Sequence, residues 1–188
     1  MLEKQKSGTA LLLIDFINNL DFPEGELLEP QGVEAALKTK ELKSYAKELG
    51  IPVIYVNDNY GKWKSDFGDI VKFCTSADSR GKEMSETVLP EEDDYFILKP
   101  QFSGFFKTQL SLLLGHLEVK NLILTGVAGD KCIHFTANDA YMRGYDIRVP
   151  KDCTASNYKE SNERALTLLA DVLGVDTTTS DQIRLAMR

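Results

Sequence analysis

The chain has 188 residues, 43% hydrophobic and 27% charged, the make-up of a soluble globular protein long enough for one domain, 1–188, built on a single core. A formal charge of −7 argues against a nucleic-acid partner, whose affinity would come from clustered Lys and Arg, and no apolar run approaches the ~20 residues that cross a bilayer. Cys74, Cys132 and Cys153 make an odd set without a CxxC pair, which argues against a disulfide framework or a zinc knuckle and leaves room for a working thiol.

The opening, MLEKQKSGTALLLIDF, has an apolar stretch only from Ala10 to Ile14 before Asp15, shorter than that of a secretory signal, and reads as the first strand of a cytoplasmic protein. Thr9 to Ile14 is a continuous apolar run ending in a carboxylate, the pattern of a strand buried on both faces of a parallel sheet. A polar loop rich in Pro and Glu follows, then a helix over Val33 to Leu49 stopped by Gly50, and a second buried strand over Pro52 to Val56. The region from Asn57 to Glu92 is the least regular; part of it must be helical or form a lid. Alternation resumes with a strand at Tyr95 to Leu98, a helix at Phe106 to His116, a strand at Asn121 to Thr125, a turn at Gly126 to Lys131, and a helix at Cys132 to Arg143. A strand at Asp146 to Val149, a last helix near Glu160 to Leu173, a short strand around Val175 and a polar tail complete the chain. Strand followed by helix, repeated, predicts an α/β domain with a mostly parallel sheet covered by helices on both faces.

In such sheets ligands bind beyond the carboxyl ends of the strands. Asp15 ends the first strand, Lys99 ends the strand at Tyr95 to Leu98, and Cys132 opens a helix after Asn121 to Thr125, so all three reach one sheet edge. A helix N-terminus and a nearby ammonium lower a thiol's pKa, which is the setting expected for Cys132 beside Lys99. A carboxylate there could take the thiol proton and return it to a leaving amine. Each residue also has an ordinary reading: Cys132 as a small buried hydrophobe, Asp15 as a turn cap, Lys99 as an exposed lysine. Their meeting at one edge favours the chemical reading.

The segments LLLIDFINNL, ILKPQFSGFF and LILTGVAGDKCIHFTANDAYMRGYDIRVPKDCTAS resemble the isochorismatase-like cysteine hydrolase family, over most of the chain from the first strand to beyond Cys153. The resemblance implies a three-layer α/β/α fold with a six-stranded mostly parallel sheet, and a catalytic triad of Asp15, Lys99 and Cys132. It also implies a non-proline cis peptide between Val127 and Ala128 and an oxyanion hole from the backbone N–H groups of Ala128 and Cys132. The substrate would be a small amide or carbamoyl compound, and the assembly a homodimer or homotetramer. The nicotinamidase branch carries an Asp-x-His motif for a metal where this chain has Asn57-Asp58-Asn59, and only His116 and His134 are available, so neither a catalytic metal nor another cofactor is expected. Trp63, Phe102 and Phe105 are candidate linings of the pocket, although aromatics at such positions are as often core.

Three rival readings remain open. His134 could serve as a base for Cys132, but two residues apart on a helix the two side chains diverge by roughly 200°. The chain could be a non-catalytic or redox-sensing binding protein on the same fold. It could also cleave a vinyl ether, as isochorismatases proper do, although some of those lack the cysteine.

Overall fold

The computed structural model describes residues 8–61 and 66–186. Six strands form one parallel sheet: β1 (Thr9–Ile14), β2 (Val53–Asp58), β3 (Tyr95–Lys99), β4 (Asn121–Val127), β5 (Asp146–Arg148) and β6 (Thr154–Ala155). Seven α-helices are found among the described residues: α1 (Gly25–Glu48), α2 (Phe67–Cys74), α3 (Lys82–Thr87), α4 (Leu110–His116), α5 (His134–Met142), α6 (Lys159–Leu173) and α7 (Ser180–Ala186). The spatial order is β3-β2-β1-β4-β5, with β6 pairing the carboxyl end of β4 beyond the point where β5 leaves it. The chain thus builds outward from β1 to β3 and then crosses to the other side of β1, which opens a crevice between the carboxyl ends of β1 and β4.

Alternate residues of the strands feed two cores. Leu11, Leu13, Val53, Tyr55 and Ile123 pack with Leu28, Ala35, Ala36 and Leu42 of α1, Met84 of α3 and Ile183 of α7. Ala10, Leu12, Ile14, Ile54, Val56, Leu122 and Leu124 pack with Leu110 and Leu114 of α4, Ala137 and Ala140 of α5, and Leu166 and Leu169 of α6. Both faces of β1 are therefore dry, which is why it reads as an unbroken apolar run rather than an alternating one. The expected three-layer α/β/α architecture is the one observed.

Several boundaries differ from expectation. α1 begins at Gly25, eight residues before Val33, and carries Pro30 within it. Burial of Leu28 and the approach of Gly32 to Met84, where an added Cβ would lie 2.6 Å from Sδ, outweigh the breaker signal. α4 starts at Leu110 rather than Phe106 because Lys107 adopts φ 52, outside the helical region. The sixth strand is Thr154–Ala155, not the segment around Val175, which makes only an isolated bridge from Asp176 to Arg148. The polar tail contains α7, anchored by fully buried Ile183 and by Asp152, which accepts from the Ser180 N–H and hydroxyl at 2.7 Å each. The irregular region supplies α2 and α3. Among the described residues no helix is long and apolar enough to cross a membrane.

Candidate active site

β1 ends in Asp15, whose φ of 53 turns the chain out of the strand while its N–H still bonds Val56. Aspartate tolerates this left-handed conformation better than most residues. Lys99 ends β3, two strands away from β1, a spacing of about 9.5 Å that needs a long side chain to cross. It crosses fully buried, and its Nζ lies 2.8 Å from Asp15 Oδ2 and 3.4 Å from Cys132 Sγ. Asp15 is itself only 4% exposed, and its Oδ1 accepts the Asp58 N–H at 2.7 Å. The Asp15 carboxylate also acts on the Cys132 thiol, raising its pKa. The residues that the sequence sends to one sheet edge thus converge at the crevice between β1 and β4.

Cys132 sits in a turn of π-helix, Gly129–Ile133, that leads directly into α5. The approach to it is crowded. Gly126 has φ 132, and a Cβ there would come 1.9 Å from the Ile14 carbonyl oxygen; a Cβ on Gly129 would meet Asn162 Oδ1 at 1.9 Å. Glycine is required at both positions by close approach, and at Gly126 by conformation too. The Ser156 hydroxyl accepts the Asp130 N–H at 3.1 Å and donates to Asn162 at 3.3 Å, so the segment after β6 braces the turn. The Val127–Ala128 peptide is cis, and the Ala128 carbonyl accepts the N–H groups of Lys131 and Ile133.

The electrostatics correct one expectation. Burial pushes the Cys132 thiol well above the ordinary cysteine range, the Asp15 carboxylate adds to the rise, and Lys99 only partly opposes both. Both effects favour the neutral thiol over the thiolate that the helix entry suggests. Burial also raises Asp15 above the usual carboxylate range, against the pull of Lys99 and of its hydrogen-bond donors, which makes it a stronger base than an exposed aspartate. Burial alone would lower Lys99, but Asp15 and Cys132 outweigh it and keep the ammonium protonated.

The other candidates fall in different places. Phe102 is exposed beside Phe135, ring centroids 5.4 Å apart, on the loop that leaves Lys99. Phe105 is buried in the core, 4% exposed, and stacks on Tyr145, which precedes β5. Trp63 lies outside the described residues. His134 lies edge-on to Phe135, its Nδ1 buried without a hydrogen-bond partner, while the Cys132 thiol is engaged by Lys99 and Asp15. Cys74 and Cys153 are both fully buried, and burial pushes the Cys153 thiol up to about 12. Asp58 both holds a turn and faces the site. Its Oδ1 accepts the Tyr60 N–H at 2.6 Å in a turn, and its Oδ2 is 3.9 Å from Lys99 Nζ. The backbone bond from Asp58 to Asp15 could not be read from residue types. Among the described residues no three His, Cys, Asp or Glu side chains gather as a metal site. A groove of about 1060 Å³ between α1 and α6, floored by Thr154 and Ala155, is separate from Asp15, Lys99 and Cys132.

A family model described as "Isochorismatase domain" matches residues 9–182. The "Uncharacterized isochorismatase family protein YaaI" of Bacillus subtilis is 44% identical over 178 residues, covering 95% of this chain and 97% of that one. An Arabidopsis thaliana protein named "Probable inactive nicotinamidase" is 31% identical over 92% of both chains. A maleamate amidohydrolase of Pseudomonas putida is 27% identical over 84% of this chain and 76% of its own. The crystal structure of N-carbamoylsarcosine amidase from Thermoplasma acidophilum superimposes with a TM-score of 0.70 at 26% identity, covering 92% and 96% of the two chains.

Proposed function

The chain belongs to the isochorismatase family, whose members include amide hydrolases, and on that footing we propose that it cleaves an amide or carbamoyl C–N bond of a small molecule with Cys132 as nucleophile. The observation that carries this reading is the buried contact of Lys99 with both Asp15, at 2.8 Å, and Cys132, at 3.4 Å. A structural salt bridge would need no thiol, and a core cysteine would need no ion pair.

In this mechanism the Cys132 proton passes to Asp15 as Sγ forms a bond to the substrate carbonyl carbon. The oxyanion that develops is held by the N–H groups of Ala128 and Cys132. When the tetrahedral intermediate collapses, the C–N bond breaks and Asp15 returns the proton to the departing nitrogen, leaving an acyl or carbamoyl thioester. Asp15 then takes a proton from water, hydroxide adds to the thioester carbon, and the C–S bond breaks with the proton returned to sulfur. Lys99 keeps Asp15 ionised in the resting site and offsets the negative charge that moves between oxygen and sulfur. Because the thiol starts neutral, thiolate is generated only when substrate is in place, which limits side reactions. Phe102, and Trp63 by its place in the sequence, would contact the substrate's apolar part. A homodimer or homotetramer is part of the same reading and is checked by light scattering.

The test is ammonia release from a panel of small amides and carbamoyl compounds by wild type and Cys132→Ala. Release that is lost in the variant supports the reading. Silence across the panel turns it toward a non-catalytic member, a state for which the Arabidopsis relative's name offers a precedent.

A further inference from the structure

The loop that leaves Lys99 is tied to the helix that leaves Cys132, through side chains that the mechanism above does not use. The Ser103 hydroxyl donates to Asp139 Oδ2 at 2.5 Å and accepts the Phe105 N–H at 3.1 Å. The other carboxylate oxygen of Asp139 is held by Arg143 at 2.6 Å. One helical turn nearer the nucleophile, Thr136 Oγ1 accepts the Gly104 N–H at 3.0 Å. Thr136 is fully buried, so its bond to Gly104 is made away from water, while the Ser103 bond is part-buried because Asp139 keeps some exposure. The loop is also pressed onto the sheet, since a Cβ on Gly104 would come 2.8 Å from Val56 Cγ1. Thr136 and Asp139 follow Cys132 by four and seven residues, the spacing that keeps side chains on one face of a helix.

We propose that Ser103, Thr136 and Asp139 form a clamp that sets the distance between the Lys99 ammonium and the Cys132 sulfur. β3 is an edge strand bonded to the sheet through β2 alone, so its carboxyl end has no second strand to hold it. Lys99 carries a long side chain with many rotamers, and a displacement of about 1 Å at a reacting group is enough to cost a large factor in rate. Two bonds between α5 and the loop residues Ser103 and Gly104 join the segment that follows Lys99 to the helix that continues from the thiol's turn. All three clamp residues act through Lys99 and are positioning residues; none is placed to touch substrate. The inference rests on Lys99 and Cys132 being a working pair, and its test reads the thiol itself, with no substrate involved.

The measurement is the rate constant for alkylation of Cys132 by iodoacetamide at fixed pH, assigned by peptide mass spectrometry, in the full chain. The variants are Ser103→Ala, Thr136→Val, Thr136→Ser, Lys99→Met, and Lys99→Met combined with Ser103→Ala. A clamp acting through Lys99 predicts that Ser103→Ala and Thr136→Val slow alkylation about fivefold or more, because each unit of rise in thiol pKa removes tenfold of thiolate. Thr136→Ser keeps the acceptor oxygen and should stay within about twofold of wild type. In the Lys99→Met background, Ser103→Ala should change the rate by less than about twofold, since the interaction it acts through is already gone. An equal factor in both backgrounds, or no slowing in the Lys99 background, would overturn the proposal. If Lys99→Met does not fold, equal slowing by Thr136→Val and Thr136→Ser overturns it instead. A chain that hydrolyses nothing in the panel can still pass or fail this test, so the two readings fail separately.

Discussion

Replacing Lys99 by Met keeps the length of the side chain and removes its charge from a site where Lys99 is fully buried and Asp15 is 4% exposed. The Asp15 carboxylate, 2.8 Å from the position of the missing ammonium, then keeps the Asp58 N–H as a donor and has lost its counter-ion. Removing one partner of a buried ion pair costs about 3–5 kcal/mol, much of it the penalty on the abandoned charge. The penalty depends on pH with a definite sign. Burial already holds Asp15 above its unfolded-state value of about 3.9, and loss of the opposing Lys99 raises it further. The folded variant therefore binds a proton that the unfolded chain does not, and its stability falls as pH rises through that window. The deficit relative to wild type should be largest near neutral pH and shrink toward about pH 5, by about 1.4 kcal/mol for each unit by which the shift exceeds that of wild type. Urea unfolding of both proteins at about pH 7.5 and about pH 5 measures it. A deficit below about 1 kcal/mol at the higher pH, or one equal at both, would refute the argument, since it would mean that the pair is solvated.

Other consequences follow from single contacts. Gly126→Ala must place a methyl 1.9 Å from the Ile14 carbonyl at φ 132, so thermal unfolding should show a loss of about 2–4 kcal/mol or failure to fold; a melting temperature equal to wild type would contradict the backbone described. Tyr55→Phe removes a buried hydroxyl that donates to Val88 O at 2.7 Å and accepts from Lys43 at 3.1 Å, and should cost about 1–3 kcal/mol in urea unfolding with turnover retained. Alkylation of Cys132 should be slower at pH 7 than that of free cysteine and still climb above about pH 9, because burial raises its thiol; a plateau reached below pH 8 would show a preformed thiolate.

What was legible in the sequence was set by local pattern. β1 is recognisable because both of its faces are buried, which erases the alternation of a half-exposed strand, and Asp15 stands out as the charge that ends it. Lys99 and Cys132 are legible as chemistry-bearing residues at element boundaries in an alternating α/β pattern. Tertiary contacts hid the rest. Pro30 signals a loop, and only the packing of α1 on α3 shows otherwise. β6 has two residues, too few for any periodicity, and is defined by its pairing with Gly126 and Val127. Phe105 lies on the same short loop as Phe102, and nothing in their spacing tells which ring turns into the core. The direction of the Cys132 shift is set first by burial, invisible before folding, whereas the helix entry that suggested the opposite shift is visible in the chain itself.

The central claim is that Cys132 carries the acyl or carbamoyl group between bond cleavage and hydrolysis. With whichever amide or carbamoyl compound the panel identifies, acid-quenched reaction mixtures examined by peptide mass spectrometry should show that group attached to Cys132, and Cys132→Ala should lose at least about 10³-fold in turnover while keeping the wild-type far-UV spectrum. Turnover in Cys132→Ala within about tenfold of wild type would contradict the claim outright, because no thioester can then lie on the main path.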